Sequence, residues 1–171
     1  MRNIRAQRRA VRLGIFAAWV VSAAFIAAGV LFQARTGAFF GTPARAAAFA
    51  LSMAGLALVA GIGLAAAIRH FLGPIDGGGP AAGTRLDLTL RYVTNTTEQT
   101  LAFSLAGVAC LFADESLAQR LLPVMGVWFV IARAAFFLGY RIRPVLRAFG
   151  FAATFHPTIA LLAVVLARLL V

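Results

Sequence analysis

The chain alternates long apolar runs with short polar ones, and the apolar runs have membrane length. Crossing the hydrocarbon core takes about 20 predominantly apolar residues. Five stretches reach that length: 13–34, 46–68, 92–113, 121–140 and 148–167. The first two hold no charge; the third carries only Glu98, the fourth only Arg133, and the fifth His156 and Pro157 without a formal charge. The pattern predicts an all-α integral membrane protein with five spans. A signal peptide is the competing reading of the first stretch, but its apolar run exceeds the roughly 7 to 15 residues of a signal core, and the five arginines before it suit a retained anchor.

Polar connections complete the plan. The stretch 72–84 holds Gly73, Pro74, Gly77, Gly78, Gly79, Pro80 and Gly83, a composition that predicts a flexible loop. It has no G-x-x-x-x-G-K-[ST] pattern, so it is not a phosphate cradle. Small residues recur every four positions in the first two spans (Gly14, Ala18, Ser22; Ala57, Gly61, Ala65), a spacing that lets helix backbones approach closely in lipid.

Composition agrees: of 171 residues, 62% are hydrophobic and 12% charged, with a mean hydropathy of +0.91. The net charge of +11 would suggest nucleic acid in a soluble protein, but the arginines divide among separate loops and form no groove-matching patch. They set orientation instead, because basic loops stay in the cytoplasm. With the N-terminus inside, Arg2, Arg5, Arg8, Arg9, Arg12, Arg69, Arg85, Arg91, Arg141, Arg143 and Arg147 face the cytoplasm, against Arg35, Arg45, Arg120 and Arg168 outside. Arg2 to Arg12 then meet anionic headgroups. A single cysteine, Cys110, excludes an internal disulfide and a cysteine-based metal cage. His70 and His156 have no second ligand at helical spacing, so no metal site is expected.

Candidate chemistry lies in the charges that interrupt the spans, since each costs roughly 2.5 to 3.5 kcal/mol on insertion scales. Arg91, Asn95 and Glu98 stand at i, i+4 and i+7, one helix face carrying a cation, an amide and a carboxylate. Such a stripe suits a zwitterionic peptide, because arginine grips a carboxylate in a fork while carboxylate and amide accept from ammonium or peptide N–H groups. Mutual neutralisation between helices is the plainer reading. Arg133 and Tyr140 are seven apart on the fourth span, followed by Arg141, Arg143, Pro144 and Arg147. Interfacial anchoring accounts equally well for that cluster.

Taken together these residues resemble the membrane-associated proteins in eicosanoid and glutathione metabolism, the MAPEG family of the microsomal glutathione transferases. The match rests on R-x-x-x-N-x-x-E at Arg91, Asn95 and Glu98, on R-x-x-x-x-x-G-Y at Arg133, Gly139 and Tyr140, and on Arg147 seven residues further on. It extends over 46–171 and implies a four-helix membrane domain there, with 1–45 a basic N-terminus and an extra transmembrane helix. The resemblance further implies a homotrimer, and the style of the chain points to a bacterial inner membrane. Glutathione, the co-substrate, would lie between neighbouring subunits toward the cytoplasm, held by Arg91, Asn95, Glu98, Tyr140 and Arg133, with Arg147 stabilising its thiolate. A hydrophobic substrate would arrive from the lipid. Three features depart from the family pattern: Phe136 stands where many members have tyrosine, Gln99 follows Glu98 where some have an aromatic, and the first span has no counterpart in the four-helix core. That span reads either as a peripheral anchor or as a cover over the membrane-facing cleft. Two other functions stay open, a non-catalytic lipid- or peptide-binding scaffold on the same fold and a small transporter with Glu98, Arg133 and Arg91 along a polar path.

Overall fold

The computed structural model describes residues 4–72 and 78–170. Arg2, Asp76 and the segment 73–77 of the glycine-rich loop lie outside the described residues. Five helices follow in order: α1 (Ile4–Thr36), α2 (Pro43–Leu72), α3 (Arg85–Ala113), α4 (Glu115–Ile142) and α5 (Arg147–Leu169), with a single 3₁₀ turn at Pro144–Leu146 before the last. Each expected span lies inside one helix, and each helix runs beyond it. The largest extension is at α1, which begins nine residues before the apolar run, at Ile4 rather than Leu13, so the basic stretch is itself helical.

Among the described residues four stretches are long and apolar enough to cross a membrane: α1, α2, α4 and the turn with α5. α3 is less apolar than that because Thr89, Thr94, Asn95, Thr96, Thr97, Glu98, Gln99 and Thr100 crowd its first half. Its 29 residues nevertheless give a length of about 43 Å, and it packs against α2, α4 and α5. The expected third span is therefore a helix of spanning length with a polar half.

Local signals place the helix ends. Thr84 caps α3 by accepting the Asp87 N–H at 3.3 Å. Asp114 ends α3 and starts α4, its carboxylate accepting from the Leu117 N–H at 2.9 Å, which satisfies donors that a helix start leaves open. Arg143 is extended before Pro144 and stops α4, as a residue preceding proline prefers.

Packing relies on small residues, since lipid supplies no hydrophobic force between helices. α2 buries Ala46, Ala50, Ala54, Ala57, Gly61 and Ala65 on one side. A methyl group on Gly126 of α4 would stand 2.7 Å from the Ala50 Cα, and one on Gly61 would strike the Tyr92 ring. Ala18 and Ser22 of α1 are buried likewise. Hydrogen bonds then tie the helices in pairs: Tyr92 Oη donates to the Ala57 carbonyl at 3.1 Å, and Trp128 Nε1 to the Ala153 carbonyl at 2.8 Å. α1 packs on α4, α5 and the 3₁₀ turn, and among the described residues touches neither α2 nor α3.

Candidate functional site

A cavity of about 800 Å³ opens where α1, α3, α4 and α5 meet at the end of the bundle that bears the 3₁₀ turn. From α3 it is lined by Arg91 and Asn95, from α4 by Phe136 and Tyr140, from the turn and the start of α5 by Pro144, Val145, Arg147, Ala148 and Phe151. α1 forms the remaining wall with Ile4, Gln7, Arg8, Val11, Arg12 and Ile15. Among the described residues its lining carries four guanidiniums and no carboxylate.

Each residue reaches the cavity for a local reason. Arg91 and Asn95 are one turn apart on α3. Arg91 is anchored by Asp87, one turn before it, with Nε donating to Oδ1 at 2.9 Å. The Gly83 N–H donates to the other carboxylate oxygen at 2.8 Å. That backbone bond, followed by the one from Arg91, holds the Asp87 carboxyl below its ordinary value, and Asp87 in turn holds the Arg91 guanidinium more firmly protonated. Tyr140 is buried beside Phe136, and the Arg147 guanidinium lies 4.8 Å from the Tyr140 ring centre. Pro144 starts the turn that delivers Arg147 onto that ring. Gly139 is required there, because a Cβ on it would stand 2.9 Å from the Leu146 backbone.

Behind this wall runs a buried polar chain. Arg133 is fully enclosed; Nη2 donates to Asn95 Oδ1 at 2.9 Å, Nη1 to Thr154 Oγ1 at 3.2 Å, and the guanidinium carbon sits 4.3 Å from the Phe136 ring centre. Asn95 Nδ2 donates in turn to Glu98 Oε2 at 3.3 Å. The amide thus links a buried cation to a carboxylate on the exposed side of α3. The Phe136 ring faces that cation.

Of the six residues singled out in the sequence, four face one cavity: Arg91, Asn95, Tyr140 and Arg147. Arg133 and Glu98 do not line it; Glu98 is tied to it by Asn95, and Arg133 by Asn95 and the Phe136 ring. Asp87 and Thr154 were not among the residues singled out in the sequence. Sequence reasoning assigned Arg8 and Arg12 to headgroups, whereas both line the cavity. The signal was present in Ile4, Arg8, Val11 or Arg12 and Ile15, which recur at helical spacing, but only a helix beginning at Ile4 makes them one face.

The model of the MAPEG family matches residues 10–167. The chain belongs to the MAPEG family. The matched range is wider than the stretch 46–171 on which the motifs rest and takes in most of α1 together with the four helices that follow. No curated protein and no solved structure matches the chain. Membership makes this a membrane protein of the glutathione and eicosanoid group.

Proposed function

We propose that the protein is a glutathione-dependent transferase or peroxidase that acts on hydrophobic electrophiles or lipid hydroperoxides at the membrane. The observation carrying this reading is the convergence of Arg91, Asn95, Tyr140 and Arg147, from three helices, on one cavity whose other walls are largely apolar. Its volume lies within the roughly 300 to 1,000 Å³ of small-molecule sites.

Glutathione carries two carboxylates, one ammonium and a thiol. Arg91, fixed by Asp87, offers a carboxylate a bidentate fork. Asn95 is already engaged by Arg133 and Glu98, so its remaining amide hydrogen and lone pair aim at the peptide. Arg133 and Glu98 are in this reading positioning residues for Asn95. Tyr140 supplies a hydroxyl and Arg147 a guanidinium beside it. An adjacent cation favours thiolate over thiol and so lowers the thiol's ordinary value near 8.5. In transfer, the thiolate sulfur forms the bond to the electrophilic carbon, whose leaving group or opened ring takes up the proton. In peroxide reduction, sulfur takes the terminal oxygen and the lipid alcohol leaves; a second glutathione then closes the disulfide and releases water.

The further assignments are an inner-membrane location, an N-terminus and cavity on the cytoplasmic side, and a homotrimer. The arginine distribution and the presence of Arg8, Arg12, Arg91 and Arg147 in the cavity lining support the orientation.

The test is ultraviolet difference absorbance of the detergent-purified protein titrated with glutathione, because thiolates absorb where thiols hardly do. A saturable thiolate band that disappears in Arg147→Ala, at unchanged helix content, is expected. Saturable glutathione binding without that band would overturn the catalytic reading and leave a binding scaffold.

A further inference from the structure

The wall contributed by α1 has chemistry that the glutathione reading leaves unused. Arg8 and Arg12 stand one turn apart on the face turned to the cavity, and Val11, Ile15 and, across from them, Phe151 continue that wall with apolar surface. Ile15 lies about 4.5 Å further along the helix axis than Arg12, toward the middle of the bundle. Two guanidiniums toward the N-terminal end of α1 and an apolar track running from them toward the middle of the bundle match a molecule with an anionic head and a hydrocarbon tail. Among the described residues no carboxylate in the lining neutralises the pair, whereas Arg91 across the cavity already has Asp87. A basic N-terminus alone does not explain this arrangement, because Arg9, at the same level of α1, is outside the lining.

We propose that α1 is a substrate-binding wall of the site, in which Arg8 and Arg12 hold the carboxylate or phosphate of an amphipathic anion whose hydrocarbon chain lies along Val11, Ile15 and Phe151. The second substrate is then an acidic lipid rather than any neutral electrophile. Its role as a substrate rests on the proposed function; its binding rests on the cavity alone.

The experiment uses full-length protein in an uncharged detergent, with fluorescent parinaric acid and its methyl ester as probes. The acid binds about tenfold more tightly than the ester, or more, which is at least about 1.4 kcal/mol. Arg8→Gln/Arg12→Gln reduces the acid to the level of the ester and leaves ester binding and helix content unchanged. Arg9→Gln/Arg143→Gln, which removes the same charge outside the cavity, keeps the preference. An absent preference in the wild type, a preference retained in the first variant, or an equal loss in the second overturns the proposal. A loss of glutathione affinity in Arg8→Gln/Arg12→Gln with the preference for the acid intact also overturns it, since the pair would then serve the peptide. Failure of the glutathione reading has a different signature: no thiolate band in the wild type while the preference for the acid persists. Nanodiscs of phosphatidylcholine with and without phosphatidylglycerol separate the two sources of such an anion. Displacement of parinarate by phosphatidylglycerol, abolished in Arg8→Gln/Arg12→Gln, supports a bilayer phospholipid as occupant, and binding indifferent to that lipid supports a free long-chain acid.

Discussion

At the residue scale the most constrained group is Arg133. It is enclosed completely, and its charge is reached by a carboxylate only through Asn95. Removing one member of such a set leaves the other members buried without a bond, which costs more than the pair contributes. Asn95→Leu should therefore lower stability by roughly 1 to 3 kcal/mol. Arg133→Met in the same background should recover much of that loss, because no cation then remains to be satisfied. A double-mutant cycle from unfolding in mixed detergent checks this; strictly additive losses would show that the two side chains are not coupled. Asp87 gives a pH prediction of definite sign. Its folded value lies below the ordinary 3.8, first through the Gly83 N–H and then through Arg91. Its contribution is thus complete above the unfolded value and vanishes as pH falls through the folded one. The unfolding midpoint of the wild type should drop below about pH 4 more steeply than that of Asp87→Asn, and coincident acid limbs would contradict the clamp. The motif residues were legible one by one in the sequence. The link from Arg133 to Asn95 was not, because packing of α3 against α4 sets it across 38 positions.

Elements meet here through glycines, and their environments differ enough to give opposite predictions. A Cβ on Gly150 of α5 would run into the Phe136 backbone of α4. Gly150→Ala should separate the two helices, cost about 1 to 3 kcal/mol as overpacking does, and weaken the thiolate band by displacing Arg147 from Tyr140. Gly63 of α2 faces open space, so Gly63→Ala should be neutral or stabilising by up to about 1 kcal/mol through helix propensity alone. Equal unfolding midpoints for the two variants would mean that the contact between α4 and α5 yields easily. Helix existence and order were readable because apolar length decides them in a membrane. The neighbours of α1 were not, since a helix apolar almost all round does not declare which side it buries.

On the scale of the whole molecule, one surface asks to be covered. Arg91, Thr94, Glu98, Leu101, Leu105, Val108 and Phe112 of α3 recur at alternating spacings of three and four, and all are exposed in the single chain. A repeat averaging 3.5 residues is the spacing of a seam between supercoiled helices, and its first half is too polar for lipid contact. The proposed homotrimer would meet along this stripe, with Glu98 of each copy beside its neighbours and Arg91 at the border between the seam and the cavity. The apolar half of the stripe permits a clean test. Cys110 is buried and replaceable by alanine at little cost in volume, so a cysteine introduced as Val108→Cys in a Cys110→Ala background reports on copies alone. Mild oxidation in native membranes should yield covalent dimers from Val108→Cys and none from Val164→Cys, an exposed position on α5. The reverse result would move the seam to α5 and leave the polar half of α3 facing something other than another copy.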